Sequence, residues 1–258
     1  MFKEVEDSWT KDSQGYDEII QKQLSNPKDV SHWMSELENV TGKEPCTILE
    51  IGCGPGFFSI LLSRLGHKVK AIDGSSGMVA CATKNFKVAG LEVECEEEDA
   101  VVLPNEENNK YDVIISRDVV WTLYDPQKAF ARWKEVLKPN GKVIIYDGNY
   151  RRDRNSAARK AWELLSKLVQ GISDRKLPEW TAHHKEKNVF SNLPMVTRER
   201  PKEDYRLLKE AGYKKVKVTA DKFRNTPKRM EFWKYGYQGR KFRERWTCII
   251  MVKYLRLI

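Results

Sequence analysis

From residue 47 onward the chain alternates short runs of β-branched and aliphatic residues with stretches whose apolar positions recur at helical spacing. Thr47–Ile51 reads as a short buried strand ending in glycines, followed by a helix over Phe57–Leu65. Lys68–Ile72 is a second strand, stopped by Asp73-Gly74. Ser75–Val88 is the next helix, with Ser75 or Ser76 as its cap. Leu91–Cys95 is a weaker third strand, and Tyr111–Ser116 the strongest central one. Gln127–Leu137 puts Ala129, Phe130, Trp133, Val136 and Leu137 on one helical face; Pro139-Asn140-Gly141 then turns the chain into a fifth strand, Lys142–Tyr146. Short β units joined by ordinary helical connections predict a parallel sheet covered on both faces.

The rhythm breaks after Asp147. A helical stretch over Ser156–Val169 leads into a loop carrying Trp180, His183, His184, Phe190 and Met195, a length that suits a lid or substrate cap. Lys202–Ala211 resumes the helical pattern, Tyr213–Thr219 alternates as a strand, and Trp246–Tyr254 is a long final strand. Ahead of the sheet, residues 1–41 are helical in two pieces broken at Asn26-Pro27. The expectation is one α/β domain built on a doubly wound, mostly parallel seven-stranded sheet. Its parts are an N-terminal helical cap (1–41), a core (42–147), an inserted cap (148–200) and a C-terminal helix with the last two strands (201–258).

Composition narrows the classes. With 258 residues and 40% hydrophobic positions the chain fills a proper core. No apolar run approaches the ~18 residues of a membrane span. The start of the chain, with Lys3, Glu4, Glu6 and Asp7, lacks a secretory signal pattern, so the cytoplasm is the expected compartment. Cysteines 46, 53, 81, 95 and 248 form no CxxC pair and the four histidines add no metal spacing; reduced thiols and no metal are expected. The net charge of +9 is uneven. Between Lys222 and Arg245 nine Lys/Arg face two Glu, interleaved with Phe223, Phe232, Trp233, Tyr235, Tyr237 and Phe242. Such a stretch suits phosphates and bases or an acidic small molecule, and equally a solvated connection between strands, which is the reading preferred.

The chemistry concentrates in Ile48-Leu49-Glu50-Ile51-Gly52-Cys53-Gly54-Pro55-Gly56. A buried strand runs into three glycines at alternate positions and a helix opens directly after them. Glycine lets the backbone turn sharply and approach a ligand, and the free N–H groups of the helix start face that ligand. Asp73, 21 positions beyond Gly52 at the end of the second strand, suits a ribose diol. A nucleoside is therefore expected at the edge of the first two strands. The spacing is G-x-G-x-G, not the G-x-G-x-x-G of dinucleotide enzymes, which counts against a nicotinamide-dependent oxidoreductase.

ILEIGCGPG, KAIDGS, the pair Asp99-Ala100, YDVIISRDVVWTL and AFARWKEVLKPNGKVIIYD resemble, in unbroken order, the successive motifs of class I S-adenosylmethionine (SAM)-dependent methyltransferases. The likeness runs from about Thr47 to Asp147 and is nearest the branch that methylates small molecules. It implies a Rossmann-like fold, SAM as cofactor and S-adenosylhomocysteine (SAH) as product. By the same resemblance, Glu50, Gly52, Cys53, Gly54 and Gly56 form the loop against the methionine part. Asp73 binds the ribose, Gly74 and Ser75 border the adenine, and Asp99 meets its amino group with the Ala100 backbone beside it. Ser116 and Arg117 present carbonyls to the methionine ammonium, and Tyr16 closes over the cofactor. Asp118 departs from the usual neutral residue, and Gly74 with Gly77 makes the turn after the second strand loose.

Methyl transfer needs an acceptor aligned opposite the departing sulfur, and orientation alone can lower the barrier by about 7–11 kcal/mol. A base is needed only for an acceptor that arrives protonated. Asp118 and His183 are the candidates, with His184 and Asp147 behind them. Trp121 and Tyr124 are expected to wall the acceptor pocket, and Arg151-Arg152-Asp153-Arg154 lies where an anionic substrate or plain solvent would meet it. The reading is a methyltransferase acting in line on a small-molecule or free peptide acceptor, as a monomer or homodimer. The alternatives are an RNA methyltransferase using 222–245, and a non-catalytic SAM-binding partner subunit. Against RNA, the fourth strand is followed by neither an NPPY-type tetrapeptide nor a Pro-Cys nucleophile.

Overall fold

The computed structural model describes residues 2–148, 157–174, 189–220 and 246–251. Two helices come first, α1 (Phe2–Leu24) and α2 (Pro27–Thr41). Between them Asn26 accepts a hydrogen bond from the Lys28 N–H at 3.1 Å, and Pro27 opens α2 where its missing N–H costs nothing. The alternating region follows as β1 (Thr47–Ile51), α3 (Phe57–Arg64), β2 (Lys68–Asp73), α4 (Ser76–Val88), β3 (Glu94–Glu97), β4 (Tyr111–Arg117), α5 (Pro126–Val136) and β5 (Leu137–Asp147). Then come α6 (Ala157–Asp174), α7 (Lys202–Glu210), β6 (Lys215–Ala220) and β7 (Trp246–Met251), with single 3₁₀ turns at Val120–Thr122 and Val189–Asn192.

The sheet runs β3-β2-β1-β4-β5-β7-β6. β1 to β5 are parallel, as the alternation of strands and helices predicts, and β7 is antiparallel to both β5 and β6. Strand order reverses between β1 and β4, and at such a switch point the connections leave in opposite directions and open a crevice at the carboxyl ends.

Both faces carry a core. On one side Trp133, Phe130, Leu207, Leu208 and Tyr213 pack with the β-strand residues Leu49, Ile51 and Ile114. On the other, Trp33 and Leu37 of α2 and Phe57, Phe58 and Leu61 of α3 cover Ile48, Val113 and Ile115. The odd and even positions of β1 and β4 thus go to opposite layers, as the period of a strand requires.

Several boundaries differ from the sequence expectation, those of β3 and β5 and the start of β6, at Lys215, among them. β3 is Glu94–Glu97, shifted past Leu91, because Glu94 and Glu96 pair with Lys70 of the neighbouring strand at 3.0 and 2.9 Å. Pro139-Asn140-Gly141 does not separate α5 from β5 but sits inside the strand as a bulge. The register jumps from Tyr111↔Leu137 to Val113↔Lys142, with Asn140 at φ +71° absorbing the extra residues. His183, His184, the 151–154 cluster and the basic 222–245 stretch lie outside the described residues.

Candidate functional site

A cavity opens at the switch point, where open α/β sheets hold their ligands. It brings together Tyr16, Gly52, Gly54, Asp73, Gly74, Ser75, Asp99, Ala100, Arg117, Asp118 and Tyr124 of the residues singled out from sequence. Glu50, Cys53, Gly56, Ser116 and Trp121 do not line it.

The loop after β1 is shaped by what surrounds it. The N–H groups of Gly52 and Cys53 both donate to the Ile72 carbonyl, at 2.8 and 3.0 Å, which ties the turn to the end of β2. Gly52 has φ +70°, and a Cβ there would stand 2.2 Å from a methyl of Val119. Gly56 has φ +89°, and its Cβ would strike the Phe86 ring at 2.4 Å. Gly54 differs: its nearest neighbour would be Tyr16, at 3.7 Å. So Gly52 and Gly56 serve packing, while Gly54 keeps a backbone surface open to the cavity.

Asp73 knits two turns. Its Oδ2 accepts the Gly54 N–H and its Oδ1 the Ser75 N–H, both at 2.9 Å. Burial pushes this carboxyl up to about 6 despite those two donors. Ser75 caps α4 by accepting the Met78 N–H at 3.2 Å, and its hydroxyl lies 2.8 Å from that of Thr10 on α1. At Gly77 a Cβ would come within 2.7 Å of the Ser13 hydroxyl and 2.9 Å of the Thr10 carbonyl. The glycine read as a loose turn is therefore where α1 crosses α4 in close contact. Asn85 completes the crossing by donating to Asp17 of α1 at 2.7 Å and to the Pro55 carbonyl of the glycine loop at 3.0 Å.

Asp99 stands on the opposite wall. Its Oδ1 accepts the Val101 N–H at 2.7 Å, and its Oδ2 accepts the Tyr124 hydroxyl, also at 2.7 Å. Glu6 of α1 faces the same end, its carboxyl raised first by burial and then by Glu97 and Asp99. Behind the cavity, Glu50 is buried and accepts the Ser59 hydroxyl. Burial lifts its carboxyl to about 8 although Ser59 and Arg117 oppose the shift.

Arg117 is held by aromatic faces. Its guanidinium lies 5.1, 5.3 and 5.2 Å from the ring centres of Trp33, Phe57 and Phe58, and its Nε is 3.5 Å from the Asp118 carboxylate. Asp118 adopts φ +61°, rare for a residue with a side chain, and its N–H donates to the Tyr146 carbonyl at 2.8 Å. Asp147 is corrected as a candidate base. Its Oδ1 accepts the Gly148 N–H at 2.6 Å, and its Oδ2 accepts both the Trp121 N–H at 3.1 Å and Arg200 at 3.0 Å. Arg200 in turn grips Asp204 through two bonds of 2.9 and 2.6 Å, so a buried Asp-Arg-Asp triad closes the end of β5. The carboxylates of Glu96, Glu98 and Glu106 also gather, with the Lys70 ammonium 2.9 Å from Glu96 and 2.8 Å from Glu106.

Sequence reasoning missed Val5, Glu6, Trp9, Met78 and Thr122, all of which line the cavity. Positions 5, 9 and 16 of α1 share a helical face, and that periodicity was the available signal.

A doubly wound sheet with its glycine turn and two carboxylates gathered on one crevice is a fold shared with solved SAM-dependent methyltransferases. Residues 49–145 match the family described as Methyltransferase domain. A ubiquinone biosynthesis O-methyltransferase of Pasteurella multocida is 29% identical over 173 residues, 64% of this chain and 66% of the relative. The chain spans about half the length of several further ubiquinone biosynthesis O-methyltransferases it matches. Among solved structures, a candidate SAM-dependent methyltransferase from Methanococcus maripaludis superimposes with TM-score 0.62 at 21% identity, over 96% of this chain and 95% of that one. Haemonchus contortus phosphoethanolamine N-methyltransferase 2, in complex with phosphomonomethylethanolamine and SAH, gives TM-score 0.57 at 19% identity, over 86% of this chain and 52% of that one. At these identities the two structures establish the fold.

Proposed function

We propose that the protein is a SAM-dependent methyltransferase that transfers a methyl group in line to a small-molecule acceptor. The observation that carries this reading is the convergence of Asp73, Asp99 and the open Gly54 backbone on one cavity. The cavity suits the cofactor chemically: a carboxylate at the end of β2 for the ribose hydroxyls, a second across the crevice for the adenine amino group, and backbone at Gly52 and Gly54 for the methionine part. When bound, SAM supplies a methyl group already activated on a sulfonium, so the protein needs to orient and desolvate more than to react. Tyr16 and Trp9 of α1 cover the crevice and exclude water. On this reading the helices of 1–41 and the segment 148–200 frame the acceptor, with Asp118 the carboxylate placed to take a proton. The relatives named for ubiquinone biosynthesis support a small acceptor in preference to a macromolecule.

The test is direct. Purified protein should bind SAM and SAH in a calorimeter and pass label from methyl-labelled SAM to the small-molecule fraction of a cell extract. Absence of label in every fraction overturns the reading; label confined to RNA overturns the small-molecule acceptor.

A further inference from the structure

Trp9 and Tyr16 form an aromatic corner on the cavity wall. Their ring centres are 6.0 Å apart with the planes inclined at 74°, and both residues line the cavity. Two rings meeting nearly at right angles offer two walls to one ligand group. The corner is braced from behind: Trp9 meets Trp121 edge-on at 6.3 Å and Phe190 at 5.6 Å, while Trp121 and Phe190 lie 5.4 Å apart. Tyr16, Trp121 and Phe190, from three separate parts of the chain, thus fix the orientation of Trp9. Trp121 also ties this cluster to Asp118, since its indole N–H donates to the Asp118 carbonyl at 2.8 Å.

The charges around the same cavity are lopsided. Among the described residues Glu6, Asp73, Asp99 and Asp118 line it, and Arg117, 3.5 Å from Asp118, is the one guanidinium. An aromatic corner alone would serve a planar phenol as well as an ammonium group. The surplus of carboxylates separates the two: a phenolate developing beside Asp118 is repelled, whereas a cation is attracted both to Asp118 and to the negative faces of the rings.

We infer that the acceptor is an amine, bound as a cation between the Trp9–Tyr16 corner and the Asp118 carboxylate and released as a more highly methylated ammonium. The inference rests on the methyltransferase reading above and deepens it. The ammonium first loses a proton, which Asp118 accepts and passes to water. The neutral nitrogen then forms the N–C bond as the C–S pair leaves with sulfur, so the positive charge moves from the sulfonium to the product nitrogen. Aromatic faces need not reorganise for that product, since the attraction grows as the nitrogen gains methyl groups and loses hydration.

The experiment compares choline with 3,3-dimethylbutan-1-ol, its neutral carbon isostere, on the full chain saturated with SAH, following heat of binding and tryptophan fluorescence. Choline should bind about tenfold more tightly, within the span expected of a desolvated cation–π site. Equal affinity, or tighter binding of the alcohol, overturns the inference. Asp118→Asn, which keeps a residue tolerant of positive φ, and Trp9→Leu should each bring the ratio close to one; a preference that survives both substitutions also overturns it. If Trp9→Leu changes only the discrimination between SAM and SAH, the corner serves the sulfonium and the amine inference falls. A chain that binds neither SAM nor SAH removes the methyltransferase reading instead, and the choline preference is then read on the protein alone.

Discussion

The phenol of Tyr124 donates a 2.7 Å hydrogen bond to Oδ2 of Asp99, while the other oxygen of that carboxylate is held by the Val101 N–H. Tyr124 therefore fixes the rotation of Asp99, and the phenol itself is pushed well above its ordinary range by burial and by the carboxylate it serves. Tyr124 was read from sequence as a wall of the acceptor pocket; its contact is with the acid proposed to meet the adenine. Tyr124→Phe should weaken SAM binding about fivefold, in keeping with ~1 kcal/mol for one hydrogen bond, with kcat at saturating SAM unchanged. An unaltered KM for SAM together with a reduced kcat would return Tyr124 to the acceptor side.

Gly52→Ala should lower the melting temperature and abolish SAM binding. The new Cβ meets Val119 at 2.2 Å, and φ +70° remains unfavourable whatever the space. Adding Val119→Ala removes the two clashing methyls, leaving a tight 3.2 Å Cβ contact and a backbone cost of about 1–2 kcal/mol. Thermal denaturation should therefore show the double variant between Gly52→Ala and the parent; a double variant no better than the single one would place the whole cost in the backbone.

Removing the guanidinium of Arg200 strands two buried carboxylates. Arg200→Met should cost about 3–5 kcal/mol in urea denaturation near neutral pH, as expected when one partner of a buried ion group is deleted. Burial raises Asp147 to about 6 and also raises Asp204, so the two can be neutralised by mild acid. The penalty should accordingly be smaller at pH 5 than at pH 8, and a penalty independent of pH would show that charge is not its source.

Glu50 makes a prediction with a definite sign. A carboxyl raised to about 8 in the folded state and near its ordinary value in the unfolded chain binds its proton more tightly when native. Its contribution to stability is complete below the unfolded value and is lost as pH rises through the folded one. Glu50→Gln mimics the protonated form, keeps an acceptor for Ser59, and should flatten the fall in melting temperature between about pH 5 and 8 in the absence of SAM. A parallel pair of pH profiles would mean that Glu50 is ionised across the range.

The residues proposed for the cofactor could be gathered from sequence because their signals fall on the backbone. Glycines at alternate positions and acids at the ends of β2 and β3 are local signals, and Gly52, Gly54, Asp73 and Asp99 meet on one cavity. What the spacing could not reveal is which side of a glycine does the work: Gly56 accommodates Phe86 and Gly77 accommodates α1. Nor could it join residues far apart in the chain. Asp147 is a plausible base until Arg200, 53 positions away, is found on its oxygen. Trp9 carried no motif, and only the crossing of α1 over α4 brings it to the crevice. Glu50, read as part of the ligand loop, points to the α2–α3 layer because alternate residues of β1 face opposite sides of the sheet.

β7 follows β6 in sequence yet lies between β5 and β6 in the sheet. On the ribosome this separates two events. Everything that frames the crevice through Asp147 has emerged while the outer edge of β5 is still bare, and roughly a hundred residues must follow before Trp246–Met251 can cover it. At ~5–20 residues per second that interval is on the order of ten seconds, long enough for a nascent chain to meet SAM. An open edge is also the part of a sheet most prone to pair with a neighbour. The wait for β7 is therefore the stage at which edge-to-edge pairing between chains competes with closure of the sheet.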